Sequence, residues 1–279
     1  MMIMKDRRKG SSRMNRKMIF FDIDGTIVDK KRNEIPVSAV AAIRKARKNG
    51  HLVFINTGRT FFNLPKNVCE IGFDGYVCGC GTYIYFNGQP LLDKSIPHEK
   101  CVEIVEKLRE CKIEALLEGQ NDFFFDQTEH DSERIQYLKN KFRKRGHDVT
   151  KSWDYPGIVF DKFVMWTNEQ SELKKFKSYI SKDFEYIDRV DETGKFGEII
   201  LKEYSKATGI KFLEDYLNIS PENCYAVGDS KNDLSMLQYV PNSIAMGNSN
   251  PDLFDLVSFV TKDIANDGIE YALRHYGII

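Results

Sequence analysis

The sequence predicts an α/β protein built on a parallel sheet with helices on both faces, into which a second α/β module is inserted. Three observations carry that reading. The run Met18-Ile-Phe-Phe21 is continuously apolar, as a strand buried on both faces of a parallel sheet must be. Strand and helix patterns alternate near both ends of the chain, the order that gives parallel strands with crossover helices. The middle breaks that rhythm: Tyr83 to Leu92 carries Asn87-Gly88 between two apolar runs, a strong short-range hairpin signal.

Taken in order, the first strand ends in Asp22-Ile-Asp-Gly-Thr26. Pro36 suits the first turn of a helix running to Gly50, with Val37, Val40, Ile43 and Ala46 assigned to one face. His51 to Asn56 reads as a second strand. Helical stretches near 98–111, 131–145 and 169–181 alternate with apolar or aromatic strands such as Ile158 to Trp166. The later alternation comprises a strand at Glu198 to Leu201, a helix from Ser205, a strand at Cys224 to Val227, a helix after Lys231, a strand at Ser243 to Met246 and a final helix. The predicted organisation is a disordered basic extension (1–16), a core (17–83 and 192–279) and an inserted α/β module (84–191). Within the insert, Phe123, Phe124, Phe125, Tyr155 and Trp166 read as core, because alternating aromatic strands bury one face.

Composition narrows the partners. The 279 residues, 42% hydrophobic and 12% aromatic, are those of a globular chain of one large or two smaller domains. Forty-one basic against 41 acidic residues leave no net charge, so neither nucleic acid nor an anionic membrane is expected as partner, and oligomeric state is left open. The basic start (Lys5, Arg7, Arg8, Lys9, Arg13, Arg16 and Lys17 against Asp6) lacks the apolar centre of a secretory signal, which points to the cytoplasm. Six cysteines in that setting read as reduced thiols. No histidine or cysteine pair has zinc spacing, so zinc is set aside.

Four clusters carry chemistry. In extended backbone, residues two apart face the same side, so Asp22 and Asp24 share one pocket while Gly25 permits a tight turn. One carboxylate of such a pair can attack phosphorus. The other, made harder to ionise by its neighbour, can donate a proton to the leaving oxygen; these roles fall to Asp22 and Asp24 respectively. Two anions facing a phosphate require a cation, and hard oxygen ligands select Mg2+. Gly228-Asp-Ser-Lys-Asn-Asp233 follows another apolar strand, where Asp229 and Asp233 are placed to complete a metal site, although alone the cluster also fits a helix cap. Asn56-Thr57-Gly58-Arg59 ends a strand with a hydroxyl and amides suited to phosphate oxygens, though such a sequence is also ordinary loop chemistry. Lys206 stands in a first helical turn, where the dipole disfavours a cation unless an anion is near; most lone lysines are merely solvated.

In chain order these clusters, with Ser205-Lys-Ala-Thr-Gly-Ile210 as the third, resemble the four motifs of the haloacid dehalogenase superfamily, specifically its Cof-type phosphatases. The resemblance spans about 18 to 275 and includes Asn266-Asp-Gly-Ile269. It implies a Rossmannoid core with an inserted cap domain, and hydrolysis of small phosphorylated metabolites (sugar phosphates, nucleotides or cofactors) through an aspartyl-phosphate on Asp22. It further implies Asp24 as acid and base, with its backbone carbonyl on Mg2+. Thr57 and Lys206, with Gly58 and Arg59, would hold the phosphoryl group, Asn232 would face it, Asp229 would bind the metal, and Asp233 would support the metal through water or from behind its ligands. Relatives usually carry Asn-Gly-Ala where this chain has Cys80-Gly81-Thr82. A phosphosugar mutase and a silent sensor of phosphorylated metabolites are the alternative expectations.

Overall fold

The structure, a computed structural model, describes residues 16–127, 131–191 and 193–279. The expected disordered extension lies outside the described residues except for Arg16, whose Nε donates to the Gly50 carbonyl at 3.0 Å. In chain order the strands are β1 (Met18–Phe21), β2 (Leu52–Asn56), β3 (Gly75–Cys78), β4 (Tyr83–Phe86), β5 (Gln89–Asp93), β6 (Glu114–Glu118) and β7 (Phe123–Phe125). They continue with β8 (Lys162–Trp166), β9 (Phe184–Asp191), β10 (Gly194–Leu201), β11 (Cys224–Gly228), β12 (Asn242–Ala245) and β13 (Phe259–Val260). The chain divides into two compact units. One holds the described residues up to Asn56 with Lys66–Gly75 and Ile210–Ile279, the other Thr57–Pro65 and Tyr76–Gly209.

In the first unit β13, β12, β11, β1 and β2 lie side by side, every neighbouring pair parallel. All four residues of β1 are buried, and Phe20 stacks on Phe54 with ring centroids 5.0 Å apart. The helix Val37–Lys48 packs on Gly268–His275 and buries Ala39, Ala42, Ile43 and Ala46. Val37, expected on that face, is 85% exposed. Steps of three fall short of a 3.6-residue turn by about 60° each, so Val37 and Ala46, three steps apart, stand on opposite sides.

In the second unit β4 and β5 form the antiparallel hairpin that Asn87-Gly88 predicts, both residues at positive φ (49° and 86°). The hairpin lies beside β3 rather than in the insert's five-stranded sheet, whose order is β7-β6-β8-β10-β9. Glu198 to Leu201, expected in the parallel sheet, belongs to β10 and pairs antiparallel with β8 and β9. An apolar run reveals burial on both faces without naming the sheet that buries it, which is why sequence misplaced it. Strand alternation splits the Phe123-Phe-Phe125 run. Phe123 and Phe125 join Trp166 and Phe142 on one face, and Phe124 joins Phe160, Phe163 and Phe176 on the other. Tyr155, expected in the core, is 42% exposed.

Buried Asp161 heads β8. Burial, reinforced by Asp93 and Glu118 and opposed by a hydrogen bond from Ser95, pushes its carboxyl up to about 6 from the ordinary 3.8. Between those limits the folded chain holds a proton that the unfolded chain has released, so stability falls as pH rises from about 4 to about 6. Melting temperatures of Asp161→Asn and wild type followed across that interval are expected to show a shallower decline for the variant. Parallel curves would exclude this origin.

All six cysteines are free thiols, and no helix among the described residues is long and apolar enough to cross a membrane.

Candidate active site

The first unit gathers its acids at the C-terminal ends of parallel strands, where ligands bind in such sheets. Leaving β1, Asp22 donates its amide to the Val227 carbonyl at 3.0 Å. The chain then closes a turn in which the Ile27 and Val28 amides donate to the Ile23 carbonyl and the Gly25 amide to Val28. Gly25 has φ +92°, and a Cβ there would stand 2.2 Å from Asp229 Oδ2. Only glycine satisfies both the turn and this close approach. Asn248, in the turn after β12, donates from Nδ2 to the Gly25 carbonyl at 2.8 Å and accepts the Ile264 amide at 2.9 Å, bracing the turn from behind.

After β11, Asp233 folds back: its Oδ2 accepts the amides of Asp229 at 3.0 Å and Ser230 at 3.1 Å, completing a capping box with Ser230. The cap reading of this cluster therefore holds. One carboxylate oxygen from each of Asp22, Asp229 and Asp233 lies within 4.8 Å of the others, and all three residues are buried. Asp24 is half-buried and bridges to Val28, and Asn232 Oδ1 accepts the Ser230 hydroxyl. Lys30 Nζ lies 2.8 Å from Asp229 Oδ2. Burial works to lower the pKa of this ammonium, but Asp229, joined by Asp22 and Asp24, outweighs it and raises it. Three buried carboxylates that already draw in an ammonium, in a cradle that a Cβ at position 25 would fill, fit a hard divalent cation.

The remaining candidates belong to the second unit. Buried Thr57 donates its amide to Val77 and its carbonyl accepts the Cys80 amide, while the Arg59 amide donates to Thr57 Oγ1 at 3.2 Å. Cys80 stands at φ +56°, the left-handed region that asparagine enters readily, which gives a conformational reason for the Asn that the resemblance implies at this position. Burial, with Glu198, pushes its thiol up to about 11, so it stays protonated at neutral pH. At Gly81, φ +98°, a Cβ would meet the Ser205 carbonyl at 2.3 Å. That close approach brings the turn after β3, which bonds to Thr57 through the Cys80 amide, against the start of helix Lys206–Leu217, whose first residue is buried.

A model of haloacid dehalogenase-like hydrolases matches residues 19–273, nearly the whole chain. This chain is a haloacid dehalogenase-like hydrolase. The hydrolase is 30% identical over 268 residues to YkrA of Bacillus subtilis (strain 168), covering 95% of this chain and 100% of that one. A phosphoglycolate phosphatase of Methanobrevibacter smithii is 26% identical over 265 residues, with coverage of 94% and 99%. The solved structure of the subclass IIB sugar phosphatase BT4131 matches with TM-score 0.76 at 26% identity, covering 94% of this chain and 100% of its own. Together these place the hydrolase among the Cof-type phosphatases, as a phosphoric monoester hydrolase. Its Asn266-Asp-Gly-Ile269 signature has a packing reason. Asp267 takes φ +61°, and a Cβ on Gly268 would strike the Lys262 carbonyl at 2.2 Å.

Sequence reasoning missed Lys30 and Asn248. Asn248 carried a usable signal, since it closely follows a parallel strand in Gly247-Asn-Ser249. Lys30 carried none, being one of 41 basic residues.

Proposed function

We propose that this hydrolase cleaves small phosphomonoesters, among them sugar phosphates, nucleotides and phosphorylated cofactors, through an aspartyl-phosphate on Asp22 and with Mg2+ bound. The observation that carries the reading is the convergence of Asp22, Asp229 and Asp233 within 4.8 Å of one another at the ends of β1 and β11. Those carboxylates, with the Asp24 carbonyl, would hold the ion, which supplies charge neutralisation at the phosphoryl oxygens. Asp22 attacks phosphorus; Asp24 gives its proton to the departing alkoxide and then takes one from the water that hydrolyses the acyl phosphate. Thr57, Gly58, Arg59 and Lys206 are assigned to the phosphoryl oxygens and Asn232 to the phosphate face. The sugar phosphatase and phosphoglycolate phosphatase among its relatives support the substrate class. Catalysis is assigned to 17–83 and 192–279 and substrate selection to 84–191, in a cytoplasmic enzyme whose free thiols suit reducing surroundings.

A panel of phosphorylated sugars, nucleotides and cofactors tests this. Inorganic phosphate release is expected with Mg2+, abolished by a chelator and restored by excess Mg2+. Turnover indifferent to chelation would reject the metal role, and isomerised sugar phosphate without free phosphate, seen by phosphorus NMR, would replace hydrolysis by transfer.

A further inference from the structure

The second unit buries a charged cluster that the chemistry above does not use. Lys162, the first residue of β8, is 4% exposed; Glu198 is 7% exposed and Glu118 5%. Lys162 Nζ contacts Glu198 Oε1 closely, lies 3.8 Å from Glu118 Oε1 and donates to the Gly58 carbonyl at 3.0 Å. Arg189 takes the other Glu198 oxygen through Nε at 2.8 Å and Nη2 at 2.7 Å. Burial alone would raise the Glu198 carboxyl, but Lys162 and Arg189 hold it down at about 2. Glu118 Oε2 in turn accepts Asn63 Nδ2 at 3.3 Å, a second tie to the segment that holds Gly58.

Burying several charges for stability alone is a poor bargain, since packed apolar side chains of similar volume often do as well. The geometry gives this cluster a task. In a planar trans peptide the carbonyl of one residue and the amide of the next point in opposite directions, so whatever holds the Gly58 carbonyl also aims the Arg59 N–H. That N–H donates to Thr57 Oγ1 at 3.2 Å. Because the hydroxyl oxygen accepts there, its own hydrogen is directed elsewhere, as donation to a phosphoryl oxygen requires. The site of a Gly58 Cβ lies 3.3 Å from both Glu198 Oε1 and Cys80 Sγ, so the same cluster presses on the loop from a second side.

We propose that Lys162 is a positioning residue for phosphate binding: through the Gly58–Arg59 peptide it sets the direction of the Thr57 hydroxyl. This rests on the assignment of Thr57 to the phosphoryl group, and the test separates the two. Wild type, Lys162→Met, Thr57→Val and the double variant are compared for kcat and KM on a generic aryl phosphate with Mg2+, and for competitive inhibition by inorganic phosphate. Lys162→Met is expected to lower kcat/KM by about 10- to 100-fold, the scale of a displaced contact or a lost supporting partner, and to weaken phosphate inhibition. It should add little in the Thr57→Val background, and Lys162→Arg should recover part of the loss. If Thr57→Val is impaired but the two losses multiply, Lys162 acts independently and the proposal fails. If Thr57→Val alone changes neither turnover nor phosphate inhibition, the assignment of Thr57 fails instead, and the proposal with it. Should Lys162→Met not fold, Lys162→Met with Glu118→Gln removes one charge of each sign and carries the same comparison. Failure of both to fold, with Lys162→Arg no different from wild type, would make Lys162 a stability residue and overturn the proposal.

Discussion

Asp22→Asn is expected to lower phosphate release by roughly four orders of magnitude, the scale on which loss of a nucleophile is felt, while leaving the fold intact. The two side chains have nearly equal volume, and position 22 is held by its backbone, through the amide bond to Val227, as much as by its carboxylate. The amide cannot form an acyl phosphate. It also removes one of three converging charges, so Mg2+ affinity should fall with turnover, and the Lys30 ammonium should lose part of the field that raises its pKa. The measurement is phosphate release with excess Mg2+ beside a thermal melt. Wild-type turnover by a folded variant would end the proposed mechanism.

Gly25→Ala should be nearly as damaging although it removes no functional group. The new methyl would stand 2.2 Å from Asp229 Oδ2 and 2.8 Å from Lys30 Nζ, at φ +92°. Left-handed backbone costs a residue with a Cβ about 1–2 kcal/mol. The displaced Asp229 carboxylate should bring at least about a hundredfold loss of activity, the usual result of misplacing a reacting site by an ångström. Gly88→Ala is the control: its φ is +86° and nothing lies within 4 Å of the added carbon, so it shares the strain without the collision. Equal loss of Mg2+-dependent turnover in both variants would show that strain, rather than the position of Asp229, is responsible.

Much of the first unit was legible because its signals are local. A run such as Met18-Ile-Phe-Phe21 has no polar side to expose, and an acid two residues after another leaves a strand on the same side. Asp22, Asp229 and Asp233 come together where parallel strands end, the place at which acids following apolar runs gather in such sheets. What stayed hidden depends on partners far away in sequence. Lys30 reaches Asp229, Asn248 holds Gly25, and Lys162 in an aromatic strand reads as an ordinary outward lysine until Glu198 is seen beside it. The same blindness assigned Ile199-Ile-Leu201 to the wrong sheet, since Phe184–Asp191, its antiparallel neighbour, breaks alternation with Tyr186-Ile187 followed by Asp188-Arg189 and gives little warning of a hairpin. On the helix Val37–Lys48, evenly spaced apolar residues suggested one face, yet the alanines decide which face is buried.

The segment Thr57–Pro65 groups with the insert rather than with the strand that precedes it. For anyone building chimaeras, the exchangeable piece is therefore larger than the inserted stretch. Transplanting 84–191 from a relative would leave Gly58 and Asn63 facing foreign side chains, and Glu198 without the lysine grown alongside it. A working graft has to carry 57–65, 76–83 and 192–209 from the same donor.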